Sequence, residues 1–174
     1  MTAQQNFVIR RTFLIPLGIL LALSVLLFAV ILIKGEPLAK VVILGVIILP
    51  VAGFFAESAV RRFRVSAEEV RVDKLFRQKS LPIEQITAVD TVLVKKRAFL
   101  TISTEEDFII LSNAYANFPV LVHTLLQRVP PAAISEETRQ MAVSPPSKST
   151  DIISCWLAVI LLAFILYIQL MAGR

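Results

Sequence analysis

The sequence predicts a membrane protein of α+β class: an N-terminal transmembrane helical hairpin, a small β-domain closed by a helix, and a third, C-terminal transmembrane helix. Three observations predict it. Of the 174 residues, 56% are hydrophobic and the mean hydropathy is +0.76, above the roughly 45–50% apolar content of soluble domains. The apolar excess is concentrated in three blocks rather than spread along the chain. Between the second and third blocks the periodicity changes to the two-residue alternation of half-buried strands.

The first block, Thr12–Ile33, carries no charge over 22 residues. At 1.5 Å per residue it spans a hydrocarbon core of about 30 Å. Arg10 and Arg11 resemble the start of a signal peptide. The apolar run, however, exceeds a signal core of roughly 7–15 residues and ends in Ile31, Leu32, Ile33 and Lys34 without a small-residue cleavage site. An uncleaved anchor is expected. The second span covers residues 41–60. The connection from Lys34 to Lys40, with Gly35 and Pro37, is short enough to force an antiparallel hairpin. Pro50 and Gly53 fall inside the second helix and are tolerated there because neighbouring groups re-satisfy the backbone. Gly18 with Ala22, and Ala52 with Ala56, have the small-residue spacing that lets helices approach. Glu57, one turn before Arg61, is expected at the interface as an ion-paired or snorkelling side chain.

The third block, Ile152–Met171, reads as a span, with Trp156 and Tyr167 as interfacial anchors. Cys155 within it is the only cysteine and is expected to be a packing residue; no disulfide framework exists. Arg10, Arg11, Arg61, Arg62 and Arg64 flank the hairpin on one side, against Lys34 and Lys40 in its turn. The positive-inside rule therefore puts the N-terminus and the central domain in the cytoplasm, and Arg174 on the other side.

In the central domain, residues 61–129, Phe63 and Val65 alternate with Arg62 and Arg64. Val70 and Val72 alternate with Arg71 and Asp73, and Leu100 and Ile102 with Thr101 and Ser103. Each pattern describes a strand with one dry and one wet face. Val89–Val94 is apolar on both faces and predicts a more central strand. About six short strands are expected. Asn117 and Pro119 open a helix whose stripe is Phe118, Leu121, Val122, Leu125 and Leu126. Strands followed by one amphipathic helix describe a small sheet or half-open barrel closed by that helix. Residues 130–151, rich in Pro and Ser, read as a flexible linker in which Ser135–Met141 has the capacity for one or two helical turns. Residues 172–174 form a C-terminal tail.

No glycine lies between Phe54 and Ala172. This excludes a P-loop or dinucleotide fingerprint from the central region, since both need glycines where backbone approaches phosphate. One histidine, His123, and one cysteine do not make a zinc site of the usual kind or leave much scope for a catalytic triad. Glu105, Glu106 and Asp107 read as a solvated hairpin tip, because consecutive strand residues point to opposite faces. Glu68 and Glu69 read the same way. No catalytic, cofactor-binding or metal-binding residue is assigned, and neither a nucleic-acid partner nor a small-molecule substrate is indicated. The formal charge of +5 is explained by membrane topology. The candidate contacts with a membrane surface or a partner are Arg61, Arg62 and Arg64 beside the second helix, and the basic tip Lys95, Lys96 and Arg97.

Residues Arg61 to Asp73 (RRFRVSAEEVRVD) resemble the opening strand, turn and second strand of bacterial proteins that tether a pleckstrin-homology-like (PH-like) domain to a transmembrane hairpin. Leu81 to Ile86 (LPIEQI) is similar to the segment leading into the family's next strand. The resemblance covers about Ala59 to Val129 and the preceding hairpin. It departs from the pattern at Glu69, where such proteins often have glycine, and in the third helix. It implies a split β-barrel or sandwich closed by a C-terminal helix, with no enzyme activity. Phosphoinositide binding is not carried over on fold alone.

These observations lead to a non-enzymatic interaction or scaffold module, anchored in the bacterial inner membrane with its domain at the cytoplasmic face. Its partners are the bilayer and either a second copy or another membrane protein. The alternative is an anionic-lipid surface sensor or lipid-handling protein. A transport role is disfavoured by the near absence of polar residues within the spans.

Overall fold

A computed structural model describes residues 5–146 and 150–171 of the chain. The expected N-terminal residues 1–4, the linker residues 147–149 and the C-terminal tail 172–174, with Arg174, lie outside the described residues. The chain divides into two compact units. One contains residues 1–10 and 60–148, the other residues 11–59 and 149–174.

The second of these units is helical: α1 (Arg11–Ile33), α2 (Leu38–Val60) and α5 (Thr150–Met171). All three are long and apolar enough to cross a membrane. Helix α1 ends on Gly35, whose φ of +64° is the left-handed conformation that glycine adopts without a Cβ penalty. Gly35 N–H donates to Leu32 O and Glu36 N–H to Ile31 O, both at 3.2 Å, so two orphan carbonyls of the last turn are satisfied before the chain reverses. The two helices of the hairpin then meet by aromatic rings lying over glycines. A Cβ on Gly18 would stand 3.2 Å from the Phe55 ring, and one on Gly45 would stand 3.6 Å from Phe28. Gly18 and Phe28, like Gly45 and Phe55, are ten residues apart, about 15 Å along a helix, so the two contacts recur in antiparallel register. Phe13 and Phe54 add an edge-to-face pair with centroids 6.1 Å apart. Gly18 thus serves to admit a ring. Helix α5 packs on the C-terminal half of α1 through Leu166 against Leu27 and Ile31. Its end is tied to the α1–α2 turn, where Lys34 Nζ donates to Gln169 O and Gln169 Nε2 donates to Glu36 Oε1 at 3.3 Å. Helices α1 and α5 therefore run parallel. Trp156 and Tyr167 are exposed on α5, and Cys155 is half-buried.

The first unit is built on antiparallel strands in two sheets. Strands β1 (Gln5–Val8), β2 (Arg62–Val65), β3 (Glu69–Asp73) and β4 (Gln78–Pro82) form a four-stranded sheet in sequence order. Strands β5 (Ala88–Val94), β6 (Arg97–Ser103) and β7 (Phe108–Ser112) form a three-stranded one. The alternation read from the sequence is realised, with Phe63, Val65, Val70, Val72, Leu100 and Ile102 all buried. The β2–β3 turn closes without glycine. Ser66 Oγ accepts from Glu69 N–H at 3.0 Å and donates to Glu69 O at 2.9 Å, an arrangement open to any serine turn. Helix α3 (Phe118–Leu126) buries Phe118, Leu121, Val122 and Leu125. Its N-cap, Asn117, is left-handed at φ 51° and makes no side-chain cap, a conformation asparagine tolerates better than most residues.

Three features differ from the expectations. The N-terminal segment is not only a tail: β1 pairs along its length with β2, with Phe7 opposite Phe63 and Val8 opposite Arg62. Its other side is held by Arg10 N–H to Ala114 O at 3.1 Å and Ala116 N–H to Val8 O at 2.8 Å, and Thr124 on α3 donates to Gln5 Oε1. Seven strands result among the described residues. Second, residues 130–143 are folded rather than a linker. Ser135 caps helix α4 (Glu136–Val143), accepting from Thr138 N–H, with Glu136 and Glu137 in the first turn where the helix dipole favours them. Thr138 is fully buried, donates to Val89 O at 3.0 Å and shares a 2.8 Å hydrogen bond with Thr91. Third, β5 is an edge strand. Val89 is buried, but Val92, Leu93 and Val94 are exposed because the β5–β6 hairpin runs past the core.

Phe7 is 7% exposed, and its removal leaves a cavity opposite Phe63. Phe7→Ala is expected to destabilise the β-unit by about 3 kcal/mol, the lower end of the range for buried phenylalanines, read by denaturant or thermal unfolding of the detergent-solubilised chain. An unchanged midpoint contradicts the place of β1 in the sheet.

Candidate functional site

A cleft of about 380 Å³ with an apolar floor runs along β7. It is lined by Phe99, Phe108, Ile110 and Ser112 from the three-stranded sheet, by Val72, Lys74 and Lys79, and by Arg61. Alternation along β6 and β7 explains it. Leu100, Ile102, Ile109 and Leu111 turn inward and are buried, while Phe108 and Ile110 turn outward and are about half exposed. Asn113 N–H donates to Ala98 O, so ladder alternation turns the backbone groups of Ile110 away from β6 and toward the cleft. An edge of this kind pairs with an added extended segment.

Positive charge rims the cleft. Lys79 Nζ pairs with Asp107 and lies 4.9 Å from the centroid of the Phe108 ring. The hydrogen bond from Lys79 is the largest cause that holds the Asp107 carboxyl below the usual carboxylate range; desolvation opposes it, and a bond from Phe108 N–H adds to it. Arg61 Nε donates to Tyr115 Oη at 3.1 Å and its guanidinium lies 5.9 Å from the Tyr115 ring centroid. Arg61 is thereby part of the domain's own packing.

The other sequence-predicted residues divide. Arg62 is exposed at the start of β2. Arg64 lies 2.6 Å from Asp73 Oδ2, and Arg71 bonds Asp73 Oδ1 at 3.0 Å, so Arg64 is committed to a nearly buried carboxylate rather than presented to a partner. Lys95, Lys96 and Arg97 are exposed at the β5–β6 turn, with Lys95 in the left-handed region at φ 56°. The backbone of this turn is bound to the other basic group. Asn113 Nδ2 donates to Lys96 O at 2.9 Å, and the Arg10 guanidinium donates to Asn113 O. The structure therefore gathers Arg10, Arg61 and the basic turn around residues 113–115. Lys74, Lys79, Phe99 and Phe108 were not singled out from the sequence. The available signal was the apolar residues on the wet face of otherwise alternating strands.

Glu105 and Glu106 are exposed in the β6–β7 turn, beside a second, polar cleft of about 630 Å³ that also takes Glu84 and Gln85. Among the described residues no group of histidine, cysteine and carboxylate side chains is placed to hold a metal ion. His123 is exposed on α3, and Glu57 is half-buried in the last turn of α2. Comparison of the chain with protein families, with characterised proteins and with solved structures finds no match.

Since its folded pKa is lowered, the Lys79–Asp107 pair contributes stability above the unfolded aspartate pKa and loses it as pH falls through the folded one. Asp107 is expected to titrate below the ordinary aspartate range by NMR, and to return to that range in Lys79→Ala. An ordinary titration in the unsubstituted chain contradicts the pairing.

Proposed function

We propose that this chain is a non-enzymatic, membrane-anchored interaction or scaffold module whose β-unit is a PH-like domain at the cytoplasmic face of a bacterial inner membrane. Support for the fold reading comes from a four-stranded and a three-stranded antiparallel sheet followed by the amphipathic helix α3. Support for the orientation comes from Arg10, Arg11, Arg61, Arg62 and Arg64 on the domain side of the hairpin, against Lys34 and Lys40 at its turn. With three spans, Gln169 stands on the side of that turn, in keeping with its bonds to Lys34 and Glu36.

The single observation that carries the interaction reading is the cleft along β7: outward Phe99, Phe108 and Ile110, an available strand edge, and a rim of Arg61, Lys74 and Lys79. Its complement is an extended protein segment with apolar and acidic side chains, supplied by another membrane protein or by a second copy. Backbone pairing gives such a complex affinity, while the aromatic floor and basic rim give selectivity.

Photo-crosslinking in intact membranes from a reactive side chain at Ile110 is expected to yield a discrete protein adduct that Lys79→Glu suppresses. The same group at His123, on the exposed side of α3, is expected to give none. Lipid adducts alone at Ile110, or an adduct insensitive to Lys79→Glu, contradict the proposal.

A further inference from the structure

The register of the first sheet sets Val8, Arg62, Asp73 and Gln78 in one row across all four strands. Val8 and Arg62 stand two or three residues from the two helix ends Arg11 and Val60. The β3–β4 turn, residues 74–77, projects from that same row. Its Phe76 is 90% exposed and is bracketed by the exposed Lys74 and Arg77. The β5–β6 turn belongs to this end as well, through Lys96 O, Asn113 and Arg10. There Leu93 is 56% and Val94 51% exposed, directly beside Lys95, Lys96 and Arg97.

Two hairpin tips at one end thus share a composition that is costly in water, a bare aromatic or aliphatic side chain flanked by cations. Exposed apolar groups of this kind are at home at the boundary of headgroups and acyl chains, and the flanking cations suit anionic phosphate. The covalent exits at Arg10 and Arg61 hold this end within a few residues of the membrane-spanning segments. We infer that the β3–β4 and β5–β6 tips dip into the anionic lipid interface of the membrane that the helices cross, Phe76 and Leu93 entering it and the flanking lysines and arginines binding lipid phosphate. The partner is the bilayer surface itself. This inference rests on other observations than the cleft along β7, with which it shares only Lys74.

The test uses the full-length chain with Cys155→Ser, reconstituted in bilayers that contain depth-quenching lipids. Single cysteines carrying a fluorophore replace Phe76, Leu93, Glu68 or Glu105. Glu68 and Glu105 occupy turns at the opposite ends of β3 and β6, about 20 Å away along the strands. Labels at Phe76 and Leu93 are expected to be quenched several-fold more than those at Glu68 and Glu105. The excess is expected to grow when phosphatidylglycerol replaces phosphatidylcholine and to shrink in high salt. In the Leu93 series the variant Lys95→Gly, Lys96→Gln, Arg97→Gln is expected to lose the anionic-lipid increment. Glycine suits the left-handed position 95, so retained strand content in circular dichroism separates this from misfolding. Equal quenching at all four positions, or quenching indifferent to lipid charge and to the triple variant, overturns the inference.

Discussion

The pairing of β1 with β2 constrains everything else. Val8 and Arg62 face each other as the two ends of an ordinary antiparallel hairpin, yet the loop that joins them is a pair of membrane-crossing helices. A strand of four residues has no independent stability. It persists here because Phe7 is buried against the sheet, Gln5 receives Thr124, and the backbone of Val8 and Arg10 is bonded to residues 114–116. The sheet thus requires both ends of the hairpin on one side of the membrane, which agrees with the arginines placed at those ends. An even number of spans between β1 and β2 is a geometric condition of the fold as well as a charge preference.

The same condition explains how the basic residues are used. Arginines beside a span are ordinarily read as topology signals exposed to headgroups. Here Arg61 stacks on and bonds Tyr115, Arg64 neutralises Asp73, and Arg10 bonds the backbone at Asn113. These charges are absorbed into the domain's base. Among the cations left outward are Arg62, Lys74 and Arg77 and the turn from Lys95 to Arg97, which adjoin that base, together with Lys79 on the cleft. A domain with its first strand in front of its anchor and its second behind it is joined to that anchor by both ends of the hairpin, and its outward cations divide between the proposed lipid and protein contacts.

The sequence was most legible where signals are local. Continuous apolar runs located the three spans to within a few residues, the alternation of Phe63 and Val65 or Val70 and Val72 located strands, and the stripe from Phe118 to Leu125 located α3. It was least legible where the partner is distant. Nothing in Asn6, Phe7 and Val8 distinguishes a strand from the lead-in to a helix, because the pairing strand lies beyond the hairpin. The turns of α4 were legible at Ser135–Met141, but not their docking: Thr138 and Met141, three apart, form a buried face inside what reads as a linker. Val89–Val94 reads as central through its β-branched, largely apolar run, although Asp90 already marks one face as wet. The structure shows instead an edge strand that leaves the core after Thr91. The candidate cations could be named from sequence, but which of them are committed to Asp73 or Tyr115 depends on packing that no local pattern records.

The most direct test of this account is disulfide formation between cysteines at Val8 and Arg62 in the Cys155→Ser chain, oxidised in native membranes. Both positions are exposed and directly opposed, and the carbonyl of Val8 is turned away from β2 toward Ala116, as in the closer, non-hydrogen-bonded type of pair. The account predicts efficient intramolecular bridging across an intact transmembrane hairpin. Failure to bridge while the protein remains folded, or accessibility of the two cysteines from opposite sides of the membrane, contradicts it.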